Sequence, residues 1–445
     1  MWGAAAVRQR PGIAAAVLLL ALAACGDRDV ILRGEREEVR AGIESGAADA
    51  QADRAAPISL PAQVNHAAWT HRNGTPEHRI DHPALRLPLE PVWSASIGTG
   101  DTRKHRITAA PVISGGRIFT LDARALVTAH STDGARLWSV DLTPHADKPG
   151  DASGGALTVA GNRLYVTTGF GALYALDPAT GARVWEQKLD AAVTGSVTVS
   201  EGVVYTVSRD GRAWALDAGD GRIRWEQAGV TPQAVVTGGA GPAVSDGLVV
   251  FPFGSGDVVT MLKKNGIRLW QAGVSGGRLG LARSNISDIT GDPVIDRGRV
   301  YIGNQAGKLV AFDLRSGARL WTADTGAMGP VWPAGGSLFV LSDATELLRL
   351  DAGTGERIWG AELPGFVKAR RRSRVWTQVY THYGPVLAGG RVIVASDDGL
   401  IRFFDPQSGA LTGTTELRGG AAAAPVVVGG RLYIVSERGQ LHAFQ

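Results

Sequence analysis

The sequence predicts an all-β fold, an eight-bladed β-propeller of four-stranded antiparallel blades. Three observations carry that prediction. The phrase Ala-x-Asp-x-x-x-Gly-x-x-x-Trp recurs at Ala175, Ala215 and Ala311. Tryptophans beat through the chain at Trp93, Trp138, Trp185, Trp225, Trp270, Trp321 and Trp359, 38 to 51 residues apart, the length of one four-stranded blade. The composition, with Gly 60 and Trp 12 against Met 3, suits many short strands and tight turns more than packed helices.

Residues 1–24 read as a lipoprotein signal peptide. Arg8 and Arg10 precede an apolar run from Ile13 to Ala24 that is short for a bilayer span, which needs about 20 residues. The run ends in Leu22-Ala23-Ala24-Cys25, which looks like a bacterial lipobox. Cys25 would then be acylated and become the mature N-terminus; the bland alternative is an ordinary cleavage site before a free thiol. Cys25 is the only cysteine, so no intrachain disulfide and no paired-thiolate zinc site can form. Gly26, rather than Asp, after the cysteine favours the outer membrane, on its periplasmic side. Residues 25–60 are charged, Ala-rich and poor in aromatics, as in a flexible tether. Residues 61–89 read as an N-terminal extension packing on the propeller.

Residues 90–445 hold the repeat. Each unit has a small-residue strand ending in a Gly turn ("APVISGG" from Ala110), then a β-branched and aromatic strand ("RLYVTT" from Arg163). A strand ending in an acid follows ("ALYALD" from Ala172), and then a Trp strand ("ARVWEQKL" from Ala182). Asp177, Asp217, Asp313, Asp351 and Asp405 each stand four residues before a glycine. The acid accepts turn N–H groups and glycine takes the positive φ, so these aspartates read as structural. The last unit stops before its Trp strand, and Pro91–Gly98 is a Trp strand with nothing before it. Pairing them completes the eighth blade and removes two open edges; apart, they leave seven.

The recurring phrase resembles the pyrroloquinoline-quinone-like propeller repeat, over about residues 90 to 445. The lipobox adds a resemblance to the BamB family of outer-membrane assembly lipoproteins. So do "VWSASIGTG" from Val92 and "SNISDITGDPVIDRGRVYIGNQAGKLVAFDLRSG" from Ser284. The extension "AAWTHRNGTPEHRIDHPAL" from Ala67 looks like that of alphaproteobacterial members. The resemblance implies a non-enzymatic scaffold of the β-barrel assembly machinery. It would bind a POTRA domain of the insertase BamA, other Bam subunits and unfolded outer-membrane proteins, offering strand edges to the last. No cofactor, metal or nucleic acid is implied. The family's Leu-x-Leu-Arg docking run matches Ala234-Val235-Val236-Thr237, with Thr237 in place of arginine, and its acidic loop matches Asp288. Arg278 and Arg283, on the long connection between them, could supply the lost guanidinium. Val235, Val236, Thr237, Arg278, Arg283 and Asp288 are therefore the expected BamA-binding residues.

Two other functions share the repeat. A periplasmic quinone-dependent oxidoreductase commonly needs adjacent cysteines and clustered calcium-binding carboxylates, and this chain has one cysteine. A cell-wall polysaccharide-binding propeller is the third reading. A net charge of +4 is mildly basic and falls short of a nucleic-acid-binding profile. The basic run 368–374 could meet an anionic surface, or be a solvated loop. His66, His71, His78 and His82 match no metal-ligand spacing, and packing around Trp69 is the simpler expectation.

Overall fold

The structure is a computed structural model that describes residues 53–193, 195–231, 238–274, 276, 288–367 and 379–445. Cys25, the signal peptide and most of the tether lie outside these residues. The strands form eight four-stranded antiparallel sheets. In chain order the blades span 112–141, 155–188, 198–228, 243–273, 294–323, 332–362 and 382–416. The eighth is made of 426–444 together with Pro91–Ser96. Pro91–Ser96 runs antiparallel to Gln440–Phe444, with Trp93 opposite Ala443.

Seven of the eight blades meet the next through a tryptophan. The indole of Trp185 lies against Gly221 of the following blade's turn, and its Nε1 donates to Ala218 O at 3.2 Å. Trp138, Trp225, Trp270, Trp321 and Trp359 repeat this with Pro178, Lys263, Leu314, Ala352 and Pro406 as acceptors. Trp93 does the same to Thr132 O at 3.1 Å, so the sheet holding both ends of the propeller also abuts the first blade. The receiving glycine has no room for a side chain: a Cβ on Gly355 would fall 2.5 Å from the Trp321 ring.

The turns form as their chemistry requires. Asp177 Oδ1 accepts the N–H groups of Ala179 and Thr180, and Gly181 N–H returns to Asp177 O at 2.8 Å with φ +75°. Asp217, Asp313, Asp351 and Asp405 do likewise. Hydrogen bonding to turn amides holds the Asp177 carboxyl below its usual range.

One seam departs from the pattern. In the seventh blade Gly413 stands where the tryptophan would be, opposite Phe403. In five other blades the matching partner is alanine: Ala129, Ala175, Ala215, Ala311 and Ala443. The large ring has moved one strand inward because the next sheet has no Asp–Gly turn to receive an indole; the chain's own ends meet there. Thr415 Oγ1 donates instead to Leu89 O at 3.5 Å.

Candidate functional site

Antiparallel order gives the blades two faces. One carries the hairpins between first and second strands and the Asp–Gly turns. The other carries the connections from each outer strand to the next inner strand. Residues 53–89 spread over the first face and reach every blade. Trp69 exchanges both backbone hydrogen bonds with Ile113 at 2.8 Å, and Val159 N–H donates to Thr70 O. His71 Nε2 meets Val199 at 3.2 Å. Val244 and Ile295 donate to Pro76 O and Glu77 O, while Gly389 and Gly429 donate to Pro83 O and His66 O. Trp69 also stacks on Trp332 of the sixth blade at 6.2 Å.

At the tip of this extension Arg72 enters a small axial cavity lined by Ala110, Val112, Leu157, Ser196 and Pro425. Its Nε lies 3.2 Å from Asp292 Oδ2, and Asp292 Oδ1 accepts Gly241 N–H. The four histidines are tied into this cap. His66 and His82 bond to the carbonyls of Asp81 and Pro61, and His78 to Pro293 O and Thr198. Burial pushes His71 down to about 3 and His78 down as well, so both are neutral. Among the described residues no three His, Cys, Asp or Glu side chains come together as metal ligands would.

The expected docking residues follow the outer strands Ile223–Ala228 and Arg268–Gly273 in the chain. Val235, Val236, Thr237, Arg278 and Arg283 lie outside the described residues, as does the basic run 368–374. Asp288 is described, and it is 4% exposed. Its segment is pinned: Ile289 bridges Asn304, and Thr290 Oγ1 donates to Ala327 O at 2.7 Å. Asp288 therefore sits inside the fold, where it can hold a loop in place but offers no exposed contact. The large apolar side chains that the face opposite the cap exposes among the described residues are Val230, Met328, Phe366 and Val379, which are 44 to 56% exposed. Val230 leads into 232–237, and Phe366 and Val379 bridge each other on either side of the basic run.

An acidic cluster on the same face was missed from the sequence because its members are far apart in it. Arg106 lies 3.1 Å from Asp101 and 3.6 Å from Glu437. Asp397 and Tyr383 complete the group. Burial raises all three carboxyls and the Tyr383 hydroxyl above their usual ranges. Asp101 and Asp397 also accept backbone N–H groups from Ile107 and Thr381, so the cluster staples loops where the two chain ends meet.

Residues 123–361 and 365–445 match the family model described as outer membrane protein assembly factor BamB. The outer membrane protein assembly factor BamB of Salmonella typhimurium strain LT2 is 29% identical over 360 residues, covering 79% of this chain and 88% of that protein. The crystal structure of BamB from Moraxella catarrhalis superposes with a TM-score of 0.66 at 19% identity, over 80% of this chain and 100% of that one. The quinohemoprotein alcohol dehydrogenase of Comamonas testosteroni superposes with a TM-score of 0.63 at 14% identity, over 85% and 80%. The last two show the fold alone.

Proposed function

The chain belongs to the BamB family of outer membrane protein assembly factors, and from that premise we propose that it works as a non-enzymatic scaffold of the β-barrel assembly machinery. The single observation that carries this reading is the family match, which runs through the propeller from the first blade to the last. The axis supports it. A quinone with its calcium ion needs free carboxylates there. Asp292, a carboxylate at the axis, is occupied by Arg72 and Gly241. The residues present do not fit that group.

In this reading Cys25 carries the lipid anchor, which holds the propeller at the periplasmic side of the outer membrane. BamA docks on the face opposite the cap, through the connections that contain Val235–Thr237 and Arg278–Arg283. Asp288, buried where the second connection ends, acts as a positioning residue. Loops on a rigid ring suit this role because the ring fixes their spacing and the loops are free to vary. Arginine on such a loop makes a good anchor.

Co-purification from detergent-solubilised membranes, with mass spectrometry of the retained proteins, tests the scaffold role. The insertase and its companion subunits should be recovered with wild-type protein. Arg278→Ala with Arg283→Ala should lower that recovery while leaving the thermal midpoint unchanged. Recovery of no assembly subunit at all would sink the scaffold reading; unchanged recovery from the double variant would move the docking site elsewhere.

A further inference from the structure

The sixth blade differs from its neighbours at its outer edge. The residue before the tryptophan is 42 to 47% exposed at Val92, Leu137, Val184, Leu269 and Leu320, but Ile358 is 7% exposed. The cover comes from the chain itself. Arg54 N–H donates to Ile358 O at 3.0 Å, and Ala56 N–H donates to Gln407 O in the seventh blade's turn. Asp53 makes a two-point ion pair with Arg357, at 2.8 and 3.1 Å.

A buried arginine completes the hold. Arg349 stands opposite Trp359, at the position that is alanine in five other blades. It is 3% exposed. Its Nη1 donates to Ala56 O at 2.6 Å, its Nη2 to Pro57 O at 3.1 Å and its Nε to Ser337 Oγ at 2.9 Å. Burial lowers its pKa. A buried cation is costly unless its donors are met, and here the carbonyls of the N-terminal segment help to meet them. The guanidinium and residues 56–57 thus depend on each other.

We propose that Arg349 is the latch that fixes where the N-terminal arm leaves the ring, so that the rim of the sixth and seventh blades is the side held towards the lipid surface. This rests on the anchored reading of Cys25. Residues 26–52 then join the lipid to the arm, a leash whose covalent geometry limits it to about 97 Å. With the latch closed the leash starts at the rim, beside Arg357. With it open, and with Asp53, Arg54 and Ala56 released from Arg357, Ile358 and Gln407 in turn, the next polar hold along the chain is on the capped face, where Pro61 O accepts from His82. The start of the leash would then move from the edge of the ring towards its axis.

The test uses the full-length anchored protein. If the native cysteine is acylated, an introduced cysteine is the sole free thiol, since the chain has one cysteine. Glu356→Cys on the sixth blade and Ala182→Cys on the second occupy matching turn positions across the ring. A maleimide-headgroup lipid in the membrane should label Cys at 356 about threefold faster than at 182, because a shorter path from the leash raises the local concentration. Arg349→Met should bring the two rates together. It should also speed hydrogen exchange at residues 54–58 while the inner strands keep their protection. Asp53→Asn, which leaves Arg349 in place, should give a smaller change in the same direction. Equal labelling in the unlatched and wild-type chains, or no difference between the two wild-type positions, would overturn the latch. A chain that Cys25→Ser fails to release from membranes would overturn the anchor, and the inference with it.

Discussion

At the scale of single residues, glycine decides where the tryptophan can go. Gly355 has φ +77° and faces the Trp321 ring at a distance no Cβ tolerates. Gly355→Ala should therefore cost about 2–3 kcal/mol, from backbone strain and the displaced indole together, read as a lower urea midpoint at constant slope. Arg106 makes a different prediction. Asp101, Asp397 and Glu437 have pKa values raised in the folded state, so the folded chain binds more protons than the unfolded one in that window. Their penalty grows as pH rises through the raised values and fades as pH falls below them. Arg106→Ala should destabilise by about 0.5–1 kcal/mol at pH 7, a figure kept low because the side chain is 55% exposed. The loss should shrink as denaturation is repeated towards pH 4. The buried histidines act in the opposite sense. His71 and His78 are held neutral, so the stability they carry is present above the unfolded value of about 6.5 and is lost as pH falls below it. His78→Gln should flatten the stability profile between pH 6.5 and 5 if it folds, measured by thermal melts across that range.

At the scale of the blade, the repeat is a rule about neighbours. In five blades the tryptophan faces alanine on its own sheet, and its Nε1 meets a backbone carbonyl of the next. The seventh blade breaks both halves at once, with Phe403 beside Gly413 and no turn beyond them. Restoring the repeat there should not help. Gly413→Trp should lower stability by about 2 kcal/mol, because its indole would compete with the Phe403 ring, whose Cδ2 lies 3.8 Å from where a Cβ would stand. In a Phe403→Ala background the same change should cost much less, and a double-mutant cycle in urea would read that coupling. The missing tryptophan was visible in the sequence. Its compensation was not, because Phe403 is ten residues upstream and becomes its partner only through strand register.

At the scale of the whole molecule, the ends of the chain complete one sheet. Pro91–Ser96 covers the Gln440–Phe444 edge, and Glu90 and Gln445 exchange backbone hydrogen bonds at 2.9 Å. A chain lacking residues 1–97 should leave that edge unpaired. It should self-associate in proportion to concentration, seen by light scattering, and melt over a broader range. The cap adds a second closure. Its contacts reach all eight blades and bring a neutral histidine pair and Arg72 onto the axis.

The sequence by itself determined the repeat and its turn chemistry, because each is a local pattern recurring at a fixed period; the count of eight rested on pairing the Trp93 strand with the last unit, a long-range contact that the strand register supplies. The sequence also carried enough of the family's phrases to point to BamB. The start of the docked segment was misplaced. Residues 53–60 were expected in a free tether, yet residues 53–57 lie along the sixth blade. Their polar, Ala-rich composition gave no sign of this, since what holds them is backbone carbonyls meeting a distant arginine. Only the tertiary structure could show Arg349 reaching Ala56, Asp288 turned inward, and Arg106 gathering carboxylates from separate blades. Those pairings join residues far apart in the chain, and side-chain burial and reach, which a linear pattern does not encode, decide them.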